Sequence, residues 1–422
     1  MIDIQNLKRL ASTTTFRQSV ITVASTILNG ILATGFYLYV AYLLGSTEYG
    51  LFILVTATVA IMTVVFDFGN DRGLVKFMSK YSPSEKKGQQ ILKAALLTKL
   101  LSGLFFIVLF YFFASPIAQV VFNQPEMAKY LPYTAMAFAS QLLFYFATYF
   151  FQAREQFVWW GIMYVGANFV RLILTLFAAA LGIMNTQMAI SLFALTPFMF
   201  FLLGMTRIGW GFLKQKIDKS TFIEIFSFNK WVTGFSAVST VSSRLDTYVT
   251  SHYSKLSDVG IYGLASQAII IMPNLVSALG AVTSPKFSRF RNPAENKNYL
   301  DKSLLFFGGI SFLSGIVLLP LGLLFMYISG PEYLSGFVPF VILVLSQAIF
   351  LGLAPLRDSL LYFHSKPSFF FWAGIAHGAI TLITGFLLLP RYGLVGASLS
   401  NLAGQVVLNG ATLWYYQKVR IK

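Results

Sequence analysis

Apolar runs long enough to cross a bilayer recur from one end of this chain to the other, and that pattern leaves few folds open. Hydrocarbon offers no hydrogen bonds, so a run of about 20 apolar residues must satisfy its own backbone and reads as a helix. About twelve spans are predicted, over 18–43, 50–70, 94–115, 130–151, 161–182, 187–206, 231–252, 260–283, 304–328, 335–355, 368–389 and 395–416. No gap between them would hold a separate soluble domain. Composition agrees, with 56% hydrophobic and 11% charged residues, where soluble domains carry about 25% charged. The 43 Phe and 21 Tyr exclude a disordered chain. An all-α integral membrane protein is expected.

A net charge of +16 raises the question of a nucleic-acid partner. With the N-terminus in the cytoplasm, however, only Lys129, Lys255 and Arg391 of the 31 Lys and Arg fall outside, 26 are on the cytoplasmic side, counting Lys99 at the inner end of its span, and Arg171 and Arg244 lie deeper within spans. Retention of positive charge in the cytoplasm explains the basicity, places both termini there and leaves nucleic acid no role. The absence of Cys removes disulfides, thiolate metal sites and thiol catalysis. Lys8, Arg9 and Arg17 precede the first span without a small-residue cleavage site, so that span reads as an uncleaved signal anchor.

Six spans return the chain to its starting side, and the largest cytoplasmic connection divides it into an N-terminal six-helix lobe (1–210), a linker (211–230) and a C-terminal six-helix lobe (231–422). Thr47–Phe52 aligns with Ser257–Tyr262, which pairs Gly50 with Gly260. The match reads either as a parallel repeat or as composition common to short outer loops. A repeat implies a substrate path between the halves. The outer loops are too short to form a platform for a glycan polymerase or ligase, and no G-x-x-x-x-G-K-[ST] loop occurs. The chain is therefore expected to be no enzyme and to lack catalytic residues, cofactor and metal. Its energy would come from an ion gradient, a substrate gradient or a partner.

Charges within spans cost at least a few kcal/mol unless paired or wetted. Arg244 and Asp246 in span 7 are the strongest such signal. At 100° per residue, Ser236, Thr240, Arg244, Thr247 and Ser251 form one stripe, and Ser239, Ser242, Asp246 and Thr250 another, so the two charges point in different directions. They are either structural ties or parts of an aqueous cavity. Arg171, about 15 Å deep in span 5, is either a carboxylate-paired structural residue or the partner of Arg244 in clamping a diphosphate. Lys99 and Arg17 read as snorkelling residues. Asp67, Asp71 and Arg72 form either a local ion network or a gating and coupling site. His377 in span 11 is either a packing residue or a titrating one. In span 12, Ser398, Asn401, Gln405 and Asn409 form a polar stripe that serves either interhelical bonds or, with Asn29, Gln141, Gln267, Asn274 and Gln347, sugar hydroxyls. Pro197, Pro273, Pro339 and Pro355 are expected to kink spans 6, 8 and 10.

Several patches together carry a family resemblance: Ala41–Phe52 (AYLLGSTEYGLF), Ser243–Asp246 (SRLD), Val259–Gly263 (VGIYG), Gly330–Tyr333 (GPEY) and Pro390–Ala397 (PRYGLVGA). The chain resembles the polysaccharide transporter family, the O-antigen type lipid-linked oligosaccharide flippases of the multidrug/oligosaccharidyl-lipid/polysaccharide exporter superfamily. The resemblance implies two six-helix lobes in a V-shaped, alternating-access bundle in the bacterial inner membrane. It implies as substrate a polyprenyl-diphosphate-linked glycan, moved outward among membrane lipids by a proton or sodium antiporter that works beside other polysaccharide-assembly proteins. A cationic cavity is implied too. Arg244, Arg171, Asn274, Gln267, Asn401 and Gln405 are the substrate-binding candidates, and Asp246, Asp67 and His377 the ion-coupling candidates. Lipid II flippases, with two further helices, and drug exporters, with a carboxylate in or near span 1, fit less well.

Overall fold

A computed structural model describes residues 14–218, 234 and 236–420. Among these the regular structure is wholly helical, and nine helices are long and apolar enough to cross a membrane. Two of the nine, Thr14–Val65 and Pro367–Arg420, are double-length, each interrupted at one glycine: Gly45 (φ 69°, ψ 170°) and Gly393 (φ 54°, ψ −135°). Glycine reaches these angles without a Cβ clash and lets the chain change direction in one residue. Each double-length helix thus supplies two spans, and a broken helix at 236–253 supplies the last of the expected twelve. Leu101, Phe105, Leu305 and Phe312 lie exposed on these helices, a surface suited to lipid. The protein is an all-α, multi-pass membrane protein.

The helices are α1 (14–44), α2 (46–65), α3 (Asn70–Lys80), α4 (Lys86–Phe112), α5 (Leu131–Ala153), α6 (Phe157–Ala180), α7 (Thr186–Ile208), α8 (Leu245–Tyr253), α9 (Leu256–Ala268), α10 (Ile271–Arg289), α11 (Pro293–Ser329), α12 (Phe337–Gly352), α13 (Ala354–Asp358), α14 (367–392) and α15 (394–420). They form two compact units: the described residues of 1–36, 58–114 and 128–233, and those of 37–57, 115–127 and 234–422. Part of the expected linker, 219–230, lies outside the described residues. The chain passes between the units within α1 and within α2, at helical residues.

In the first unit α5 is the central helix. Its Phe144, Phe146, Phe150 and Phe151 pack with Phe200 and Phe201 of α7, Leu92 and Leu96 of α4, and Leu74 and Phe77 of α3. Close packing of these rings, and not exclusion from water, holds the helices together, since lipid would cover an apolar face equally well.

In the second unit the start of α2 crosses α9 backbone to backbone. A Cβ on Gly50 would lie 2.1 Å from the Leu256 carbonyl oxygen, and one on Gly260 would lie 1.9 Å from that of Ser46. Each glycine meets the carbonyl four residues before the other, as at a twofold axis. The paired patches Thr47–Phe52 and Ser257–Tyr262 thus meet at one helix crossing, each glycine against the other helix's backbone. Tyr333 adds a hydrogen bond from its hydroxyl to the Ala41 carbonyl (3.1 Å). Gly50→Ala or Gly260→Ala should each lower the melting temperature of the purified protein by several degrees, because the helices must separate to admit a methyl group. An unchanged melting temperature would mean that the crossing yields without cost.

One proline expectation needs correction. Pro197 lies inside α7 as expected. Pro273 follows a break at Ile269–Ile270 and Pro355 follows one at Leu353, and each ring excludes the helical position of the carbonyl four residues back. Pro339, by contrast, stands in the first turn of α12. There a missing N–H costs nothing, so this proline does not bend its helix.

Candidate functional site

Span 7 is interrupted where its charges lie. Helical geometry runs to Ser242, a turn occupies Ser243 and Arg244 (φ −123°, ψ 0°), and α8 starts at Leu245. The ideal 100° register therefore fails at this point, and the expectation that Arg244 and Asp246 face different ways is corrected. Both line one cavity of about 400 Å³ within the second unit, together with Ser239, Ser243, Thr247, Gln347, Arg357, His377, Asn401 and Gln405.

Asp246 is buried and held by neutral donors. Its Oδ2 accepts the Tyr262 hydroxyl at 2.7 Å and Asn401 Nδ2 at 2.8 Å, and its Oδ1 accepts the Thr247 N–H at 2.7 Å. Asn401 Oδ1 in turn accepts the Ser346 hydroxyl at 2.6 Å. One carboxylate thus ties α8 to α9, α15 and α12. Among the described residues no cation forms an ion pair with it. Arg244 is half-buried and likewise has no carboxylate partner among the described residues. His377 is 5% exposed, and its Nε2 lacks a hydrogen-bond partner among the described residues.

The polar stripe of α15 is divided. Asn401 and Gln405 face the cavity, whereas Asn409 donates to the Gln405 carbonyl at 2.8 Å and accepts from Arg357 at 2.8 Å. Gln267 is buried in α9 and Asn274 is exposed in α10, one on each side of the break in span 8, and neither is in the cavity lining.

Arg171 belongs to the first unit, where it is buried. Its Nε donates to Thr196 Oγ1 and its Nη1 to Asn168 Oδ1, both at 3.0 Å. The guanidinium also stacks on Phe193 and Phe36, at 4.8 and 5.3 Å from the ring centroids. Asn168 donates onward to Asn29 Oδ1 at 2.6 Å. The network ties α6 to α7 and α1.

Asp67 lies in the turn between α2 and α3, where Phe68 and Gly69 take positive φ. It accepts the Asp71 N–H at 2.9 Å, capping α3. The ammonium of Lys99 bonds both Asp67 and, at 2.7 Å, Asp71. Lys99 is 1% exposed, which corrects its reading as a snorkelling residue. Helix α4 starts at Lys86, and Lys99, about 20 Å along it, turns its ammonium onto the two carboxylates of the α2–α3 turn and away from solvent. The helix start was signalled by Ser82, Pro83, Ser84 and Glu85 just before it.

Two site residues escaped the sequence reading. Arg357 was counted with the cytoplasmic charges, although Pro355 announces a new helix that carries it back into the protein. Tyr262 lies in the VGIYG patch and was not connected with the partner that Asp246 required.

With the geometry in hand, the comparisons place the chain. The family described as polysaccharide biosynthesis protein matches residues 16–291. The chain belongs to this family. It is 24% identical to a candidate O-antigen transporter of Shigella flexneri over 205 residues, 47% of this chain and 48% of that one. It is also 24% identical over 221 residues to an uncharacterized membrane protein of Methanocaldococcus jannaschii, covering 49% and 42% of the two chains. The matches span about half the length of these curated relatives. The fold is similar to that of the lipid II flippase MurJ in an inward closed conformation, with TM-score 0.71, 18% identity, and 95% and 90% of the two chains covered. An inward-facing multidrug-resistance transporter of the MOP superfamily gives TM-score 0.71 at 12% identity, with 95% and 98% covered.

Proposed function

We propose that this family member is a flippase, and no enzyme, that moves a polyprenyl-diphosphate-linked oligosaccharide from the inner to the outer leaflet of the bacterial cytoplasmic membrane by alternating access. Both termini lie in the cytoplasm. The observation that carries the reading is Arg244, a guanidinium with no carboxylate partner among the described residues, in a cavity lined with amides and hydroxyls. A guanidinium fork suits phosphate oxygens, and Asn401, Gln405 and Gln347 suit sugar hydroxyls. The family match and the candidate O-antigen transporter from Shigella support the same substrate class.

Reconstituted protein should expose a short-glycan polyprenyl diphosphate in the opposite leaflet faster than empty vesicles do. Equal rates from a folded sample would reject the reading.

Coupling falls to Asp246, beside the unsatisfied Nε2 of His377. A proton or sodium ion bound there would change the charge of the substrate cavity itself. Asp246→Asn keeps the shape and removes the charge. It should fold, bind substrate and lose the dependence of transport on an imposed ion gradient. Retained gradient dependence would exclude Asp246 from coupling.

A further inference from the structure

The cluster at the turn between α2 and α3 holds an odd number of charges. Lys99 brings one ammonium and Asp67 and Asp71 bring two carboxylates, and the side chains of Lys99 and Asp67 are 0% and 5% exposed. The hydrogen bonds are as uneven as the charges. Asp67 Oδ1 accepts from the Lys99 ammonium and its Oδ2 accepts the Asp71 N–H at 2.9 Å, while Asp71 Oδ1 accepts from the ammonium at 2.7 Å. Asp71 Oδ2 has no hydrogen-bond partner among the described residues. The Asp71 side chain is the most exposed of the three, at 13%, so the open oxygen lies within reach of water.

The surrounding groups do not balance the cluster. Arg72, the next residue of α3, is exposed and forms no ion pair among the described residues, and an exposed cation offsets little of a buried charge. From α5 and α6 the nearby titratable groups are Tyr145, Tyr149 and Tyr164, whose phenols are neutral at physiological pH. Burial and a neighbouring like charge both favour the protonated form of a carboxyl. One proton brings the cluster to neutrality and occupies the oxygen that has no partner. A metal ion fits less well, because the ammonium already stands between the two carboxylates where a cation would sit.

We infer that the cluster of Asp67, Asp71 and Lys99 is a proton-binding site of the first unit, with Asp71 Oδ2 as the acceptor and Lys99 holding the two carboxylates in place. Asp67 also caps α3, so loss of the proton puts an unbalanced charge at the turn that joins α2 to α3 and loosens it. The site is separate from Asp246, and it stands whether or not the protein is a flippase.

The test treats the purified full-length protein with dicyclohexylcarbodiimide, which couples to carboxyls in their protonated form, and maps the adducts by peptide mass spectrometry across a pH series. Asp71 should be labelled at neutral pH, with labelling that falls about tenfold for each pH unit above its midpoint, and Asp67 should not. Asp67→Asn leaves one carboxylate to one ammonium, so Asp71 should stay ionised and its labelling at neutral pH should be lost. Melting temperature gives a second readout. A carboxyl protonated in the folded protein but ionised in the unfolded chain contributes stability that is present in acid and lost as pH rises through the folded midpoint. Wild type should therefore lose several degrees more than Asp71→Asn, which is neutral throughout, between mildly acidic and mildly alkaline pH. An Asp71 that is unlabelled even in mild acid, or labelled alike at every pH, overturns the inference. So does neutral-pH labelling retained in folded Asp67→Asn, or an Asp71→Asn variant that keeps the wild-type pH dependence of melting. The wild-type labelling decides the matter if a variant fails to fold.

Discussion

Lys99→Met should be the most destabilising single change in the first unit. The ammonium of Lys99 is shared by Asp67 and Asp71 and almost wholly withdrawn from solvent. Its removal leaves two carboxylates facing each other at the break between α2 and α3 with no buried cation, and breaking a buried pair costs about 3–5 kcal/mol. The neighbouring Arg72 is exposed and forms no ion pair among the described residues. The expected result is a sharp fall in melting temperature, or in yield of folded protein, in detergent. Replacing both carboxylates in the same background, as Lys99→Met with Asp67→Asn and Asp71→Asn, should recover much of the loss, because a neutral cluster is cheaper to bury than an unbalanced one. A triple variant no more stable than Lys99→Met alone would show that the packing of the lysine stem, and not charge balance, sets the effect.

Arg244→Ala should have the largest effect on transport with little effect on folding. The side chain has no protein partner to strand among the described residues, so its loss breaks no structural tie, and on the proposed reading it removes a substrate contact. Arg244→Lys keeps the charge but loses the planar fork, and should retain a fraction of the activity. Export of lipid-linked glycan in a flippase-deficient host, at matched expression, separates the three. An alanine variant equal to wild type would remove Arg244 from the substrate site. Arg171 offers the contrast. Its hydrogen bonds to Thr196 and Asn168 and its two aromatic faces predict that Arg171→Ala lowers stability as well as activity.

The spans were legible because hydrocarbon imposes one rule on every backbone group, and apolar length reads that rule directly. The double-length helices show where the reading was coarse. An apolar count registers two spans and a gap, but cannot see that Gly45 or Gly393 alone turns the chain. The site was half legible. Asp246, His377, Asn401 and Gln405 betrayed themselves as polar groups in apolar surroundings, whereas Arg357 was hidden by lying beyond the apolar run, among charges with an ordinary topological explanation. The misjudged direction of Arg244 has a local cause too, since angular arithmetic presumes an unbroken helix and span 7 breaks at that residue.

The crossing of Gly50 and Gly260 bears on which exchanges the two helices can tolerate. Where two segments touch through side chains of different size, an enlargement on one side can be offset by a reduction on the other. At this crossing both positions already carry the smallest residue there is, and each faces the other helix's backbone. No compensating exchange exists, so neither glycine can be enlarged while the crossing stays closed.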